Sequence, residues 1–216
     1  METILTGKQI QFSYGNIQIL KDINIHFRKG KVHAIIGASG SGKTTLLSIL
    51  SGISSYKEGS ILYKGKELSK LNQSKYRQET GIIFQNYNLI SYLSAIQNII
   101  VAMDIGKIKG HKLMKAKDLL RQVGIEEKDW HRPAVKLSGG QQQRVAIARA
   151  LATDSEIIFA DEPTGNLDSK TGHEITKLLC NLAVQHNKCV ICVTHDTHFK
   201  KKADIVYVLK DGTIEQ

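Results

Sequence analysis

Val32-His33-Ala34-Ile35-Ile36-Gly37-Ala38-Ser39-Gly40-Ser41-Gly42-Lys43-Thr44 is the stretch on which the fold turns. Its first five residues are an apolar run of strand length that stops at a glycine. Gly37, Gly40 and Gly42 then let the backbone fold tightly and aim successive N–H groups at one point, as binding a phosphate requires. Leu46, Leu47 and Leu50 follow at helical spacing, so a helix is predicted over 44–51, with Gly52 placed to end it. Its N-terminus adds a positive dipole end at the same point. Lys43 is placed to reach the β- and γ-phosphates of a nucleotide, and the Thr44 hydroxyl to ligate Mg²⁺. Strand, glycine loop and helix in this order predict an α/β core that holds nucleotide phosphates.

Upstream, Ile23, Ile25 and Phe27 alternate with Asn24 and His26, the pattern of a strand with one buried face, and Gly30-Lys31 turns from it into 32–36. Downstream, Ile61-Leu62-Tyr63 with the Lys64-Gly65-Lys66 turn predicts another strand of an exposed sheet. Between Gln85 and Leu137 the pattern becomes helical. Ile96, Ile99, Ile100 and Met103 make one apolar face, and Leu113, Met114, Leu119 and Leu120 make parts of another. A helical subdomain inserted in the core is expected there. Residues 157–160 and 190–193 are continuous apolar runs, as in parallel strands covered on both faces. The end, 205–214, reads as a hairpin turning at Asp211-Gly212.

A chain of 216 residues buries roughly 70% of its unfolded surface, which suits one α/β domain. The net charge of +10 comes mainly from scattered lysines, with Lys200-Lys201-Lys202 as a run. No aromatic residues interleave with the charges, so a solvated surface is expected rather than a nucleic-acid track, with anionic lipid headgroups as a weak partner. Cys189 and Cys192 have the spacing of a redox or metal pair, but residues three apart on a strand face opposite sides. With Cys180 they read as core residues of a chain in a reducing compartment. No apolar run approaches the ~20 residues of a membrane helix. The start, Met1-Glu2-Thr3, has no signal pattern, and a cytosolic location is expected.

Three further groups carry chemistry. Asp161-Glu162 ends a buried strand, where α/β sheets place their ligands. Asp161 suits Mg²⁺ and Glu162 suits a general base for water, the plain alternative being an acidic pair that opens a loop. His195 follows the next core strand and is placed for the same γ-phosphate, against the alternative of a solvated strand end. Leu137-Ser138-Gly139-Gly140-Gln141-Gln142-Gln143-Arg144 leads into a helix predicted over 142–152. A serine hydroxyl, glycine N–H groups and a helix N-terminus make an anion site, or else a glycine-rich helix entry with Ser138 as cap. A chain with a complete phosphate loop has no need of a second anion site for the same nucleotide, which favours use by another chain.

With these segments the chain resembles the ATP-binding subunit of ABC transporters over essentially its full length. Residues 84–89, 137–150 and 161–168 resemble the lipoprotein-release, macrolide-export and antimicrobial-peptide-export branch, which also holds a cell-division ATPase. The resemblance implies an α/β P-loop NTPase core with a parallel sheet, an N-terminal antiparallel β subdomain and a helical subdomain at about 86–140. It implies an ATPase using ATP and Mg²⁺, a homodimer around two ATP molecules, and a separate integral membrane permease, with the chain peripheral on the cytoplasmic face and no nucleic acid. The alternative is a signalling or mechanical ATPase of the cell-division type. Residue by residue it implies ATP contacts from Gly37, Ala38, Ser39, Gly40, Ser41, Gly42, Lys43, Thr44 and Thr45. Across the dimer it implies contacts from Ser138, Gly139, Gly140 and Gln141, with Asn166-Leu167-Asp168 as the crossing loop. Tyr14 is implied to stack on adenine, against the alternative of an ordinary turn tyrosine. Gln85 is implied to serve Mg²⁺ and the attacking water, and Glu162, His195, Gln85 and Lys43 to carry catalysis. Ser91 and Gln97 depart from the proline and glutamate common in relatives, and Pro133 stands four residues before Leu137 rather than three.

Overall fold

The computed structural model describes residues 2–215. Two long strands open the chain, β1 (Thr3–Tyr14) and β2 (Ile17–Arg28), followed by β3 (Val32–Ile36), α1 (Lys43–Leu50), β4 (Glu58–Tyr63), β5 (Lys66–Glu67), α2 (Gln73–Gln78) and β6 (Thr80–Ile83). Three helices come next, α3 (Ala95–Ile105), α4 (Lys112–Gln122) and α5 (Gly139–Leu151). The chain ends with β7 (Ile157–Asp161), α6 (Ser169–His186), β8 (Cys189–Val193), α7 (Thr197–Lys202), β9 (Ile205–Lys210) and β10 (Thr213–Glu215).

One sheet is antiparallel, in the order β2-β1-β4-β5. The other runs β10-β9-β3-β8-β7-β6, parallel from β9 to β6, with β10 folded back on β9. At that fold Asp211 (φ 47°) and Gly212 (φ 79°) are both left-handed, as the predicted two-residue turn demands. The parallel sheet separates two apolar cores. Val32, Ala34, Ile158, Ala160, Val190 and Cys192 face the helical layer of α3 to α6. Ile35, Ile157, Phe159, Cys189, Ile191 and Val193 face α1 and the antiparallel sheet. Cys189 and Cys192 thus lie on opposite faces, and burial pushes both thiols up.

Two expectations are corrected. Leu113 and Met114 are 53% and 63% exposed rather than part of a buried face. The first turn of α4 runs beyond the layer that covers Ala116, Leu119 and Leu120, and Ile105 at the end of α3 is exposed beside it. Helix α5 begins at Gly139, three residues before the predicted start, because Ser138 and Gln141 form a capping box that outweighs the poor helix propensity of two glycines.

Candidate functional site

Strands β3, β8, β7 and β6 are neighbours, and their C-terminal ends form one edge of the sheet. Residues distant in sequence meet there in strand order. The loop 37–42 follows β3, Thr194 and His195 follow β8, Asp161 ends β7 with Glu162 directly after it, and Gln85 stands just beyond β6.

At two glycines of the loop the backbone is packed too closely for a side chain. A Cβ on Gly37 would lie 2.3 Å from the Leu209 carbonyl oxygen, and one on Gly42 would lie 2.8 Å from Ile19. Gly42 is the left-handed N-cap of α1 (φ 97°) and gives the helix no side-chain cap. The first N–H groups of α1 are therefore left to a ligand. Lys43 is almost fully buried, and its Nζ donates to the carbonyls of Gly37 (3.0 Å) and Ala38 (2.8 Å). The Ser41 hydroxyl is buried with no partner among the described residues. An open cleft of about 720 Å³ lies between Gln18, Ile19, Lys21, residues 37–41 and residues 208–212. Ser39 and Gly40 stand at its exposed rim, and Thr45 follows Thr44 in the first turn of α1. Tyr14 does not line this cleft. It sits at the tip of the β1–β2 hairpin, 59% exposed and edge-on to Phe12, while Gln18, paired with Ser13 across the hairpin, does line it.

Thr44 Oγ1 donates to Asp161 Oδ1 at 3.2 Å, so the loop and the end of β7 touch. Burial raises the Asp161 pKa, opposed by this hydrogen bond, so a partly desolvated carboxylate stands beside a hydroxyl. Two hard oxygen donors in this setting fit Mg²⁺. Glu162 is strained, with φ 46°. Its N–H donates to Val193 O at 2.9 Å, and its carboxylate is held by Thr194 Oγ1 (3.2 Å), the His195 N–H (3.3 Å) and His195 Nδ1 (2.9 Å). Thr194 was not anticipated from the sequence, although its place between the strand and His195 carried the signal. Gln85 is tied by its carbonyl to Asn166 Nδ2 (3.0 Å), which also donates to Asn86 (3.2 Å).

Ser138, Gly139 and Gly140 share no hydrogen bond with the loop 37–44 and do not line its cleft, among the described residues. Ser138 is exposed and its Oγ accepts the Gln141 N–H (3.3 Å), while Gln141 Oε1 accepts the Ser138 N–H (2.9 Å). The Gln141 amide also donates to the buried Asp129 (2.8 Å), so its side chain holds this segment in place. Asp168 caps α6, accepting from the Thr171 N–H (3.0 Å) and hydroxyl (2.6 Å), and these bonds hold its carboxyl below the usual range. Gln97 completes a capping box with Ser94, the Ser91 carbonyl accepts the Val135 N–H, and Ala134–Lys136 form a 3₁₀ turn between Pro133 and Leu137.

The ABC transporter family model matches residues 20–165. The chain is 46% identical to the uncharacterized ABC transporter ATP-binding protein YclH of Bacillus subtilis, over 98% of this chain and 95% of that one. It is 39% identical to the lipoprotein-releasing system ATP-binding protein LolD of Cytophaga hutchinsonii, over 99% and 100%. It is 41% identical over 92% of its length to the macrolide export ATP-binding/permease protein MacB of Mannheimia succiniciproducens, of which it spans 31%. The structure of the ATP-binding cassette MJ0796, a dimeric post-hydrolysis state bound to ADP and Pi, matches with a TM-score of 0.90 at 35% identity, covering 99% of this chain and 97% of that one. The chain belongs to the ABC transporter family, as an ATP-binding subunit of the branch that holds LolD and MacB.

Proposed function

We propose that this chain hydrolyses ATP as half of a head-to-tail dimer and that closure of the dimer drives a membrane permease of export type. The observation that carries this reading is the restrained Glu162 carboxylate beside the Thr44–Asp161 contact, on the same sheet edge as Lys43. Glu162 takes the proton of the attacking water, and Thr194 and His195 hold its carboxylate in position for it. Lys43 and the N–H groups of residues 37–45 bind the phosphates, with Tyr14 on the adenine. Thr44, Asp161 and Gln85 are the residues that would hold Mg²⁺, an ion that neutralises charge on the β- and γ-phosphate oxygens when bound. Ser138, Gly139, Gly140 and Gln141 meet the nucleotide of the other chain, and the loop ending at Asp168 crosses between the two. Residues of about 86–140 act as a helical subdomain that passes closure to the permease. No described helix is long and apolar enough to cross a membrane, and the permease holds the chain peripherally on the cytoplasmic face.

Glu162→Gln tests this directly. Turnover should fall by roughly 10²–10⁴-fold with ATP affinity kept, and an ATP-bound dimer should accumulate in light scattering. A variant that stays monomeric with saturating ATP and Mg²⁺ would count against the closed dimer.

A further inference from the structure

The α3–α4 hairpin ends in a tip with the sequence Ile105-Gly106-Lys107-Ile108-Lys109-Gly110-His111-Lys112-Leu113-Met114-Lys115-Ala116-Lys117. Ile105, Leu113 and Met114 are exposed there, Ile105 by 75%. Lysines interleave with them, and two are neutralised, Lys112 by Asp104 and Lys115 by Asp154. Lys107, Lys109 and Lys117 have no carboxylate partner among the described residues. Lys117 lies four residues after Leu113 and three after Met114, so it shares their side of α4. Exposed apolar side chains rimmed by unpaired cations mark an interaction surface rather than a solvated one. The tip holds no arginine and no phenylalanine, tyrosine or tryptophan, its one ring being the His111 imidazole, which speaks against a base-stacking platform and bidentate phosphate reading. Compact ammonium groups on flexible stems, beside leucine, isoleucine and methionine, match a bilayer instead. The heads meet anionic headgroups while stems and apolar side chains enter the interface.

We propose that the tip at residues 105–117 is a docking surface for an anionic lipid bilayer, giving the chain a direct membrane contact that needs neither permease nor nucleotide. It is independent of the ATPase reading. The test is sedimentation of the purified full chain with phosphatidylcholine vesicles, with and without phosphatidylglycerol. Binding should require phosphatidylglycerol and weaken with salt. Lys107→Gln/Lys109→Gln/Lys117→Gln should reduce it by about a hundredfold, or ~5-fold per lysine. The charge-matched control Lys200→Gln/Lys201→Gln/Lys202→Gln, on α7, should change it by less than about threefold. Leu113→Ser/Met114→Ser should weaken binding and leave its salt dependence intact. Equal losses in the two triple variants would reduce the effect to net charge and overturn the assignment to the tip. Binding without preference for phosphatidylglycerol would overturn it too, as would capture of polyglutamate but not of vesicles, which would assign the tip to acidic polypeptide.

Discussion

His33 lies inside β3 with its ring stacked on Tyr207 (6.2 Å between centroids) and edge-on to Phe27 (5.1 Å). It is fully buried, its Nε2 accepts the Arg28 N–H at 2.9 Å, and its Nδ1 has no partner among the described residues. Burial pushes its pKa down from 6.5 to about 4, against a smaller opposing effect of the Arg28 backbone. The folded chain therefore keeps this ring neutral where the unfolded chain has begun to protonate it. Because the folded pKa is the lower one, stability is complete above about pH 6.5, declines as pH falls, and the loss levels off near pH 4. The full effect is about 3 kcal/mol. Urea unfolding at pH 7.5 and pH 5 should show part of this loss in the parent chain and a smaller one in His33→Phe. Equal losses in both would place the pH dependence in other groups.

Helix α5 is tied at both ends. At its start, Ser138, Gln141 and Asp129 fix the entry. Near its end, the half-buried Arg149 guanidinium donates to the carbonyls of Tyr87 (2.8 Å) and Asn88, two successive residues in left-handed conformations (φ 59° and 49°) just beyond Gln85. Burial lowers the Arg149 pKa, and no carboxylate pairs with it among the described residues, so its charge is satisfied by backbone oxygens. Arg149→Ala should cost about 2 kcal/mol of stability and lower kcat more than ATP affinity, since the segment carrying Gln85 loses its hold. Arg149→Lys should recover part, because an ammonium cannot fork to two carbonyls as a guanidinium does. Unchanged unfolding in the alanine variant would mean that the contact does not hold the segment. Strands β2, β3, β4, β7 and β8, the glycine loop and the final hairpin were legible in the sequence, because alternation, short apolar runs and glycine placement are local signals, whereas β1 and β6 were not read from it. The Arg149 contacts span 61 and 62 residues and leave no local pattern. Leu113 and Met114 carried the right spacing for burial, but periodicity does not reveal where a covering layer ends. The start of α5 was masked by glycines whose propensity argues against helix, although Ser138 and Gln141 stand at capping-box spacing.

At the scale of the molecule, the sheet edge collects loop 37–44, Asp161, Glu162 and His195 in one chain, while Ser138 and the helix start behind it stand apart from that cluster. Under the proposed division these are two half-sites, and within one chain they share no hydrogen bond among the described residues. The similar cassette MJ0796 is dimeric in its post-hydrolysis state bound to ADP and Pi, and the proposed head-to-tail division assigns the joining of the two groups to a second copy. The division can be separated by mixing two defective chains. Lys43→Ala damages the phosphate loop, and Gly139→Asp puts a carboxylate where an anion should approach, so each variant alone has both of its shared sites damaged. In the mixed dimer both defects fall on one site, and the other pairs an intact phosphate loop with an intact Ser138 segment. An equal mixture should recover about a quarter of the parent turnover, since half of the dimers are mixed and each has one whole site. That fraction assumes that one sound site can turn over beside a damaged one. If the mixture recovers nothing while light scattering shows ATP-dependent mixed dimers, the two sites must fire together. If Gly139→Asp weakens ATP binding by the monomer as much as Lys43→Ala does, residues 138–140 belong to the same chain's site and the proposed head-to-tail division fails.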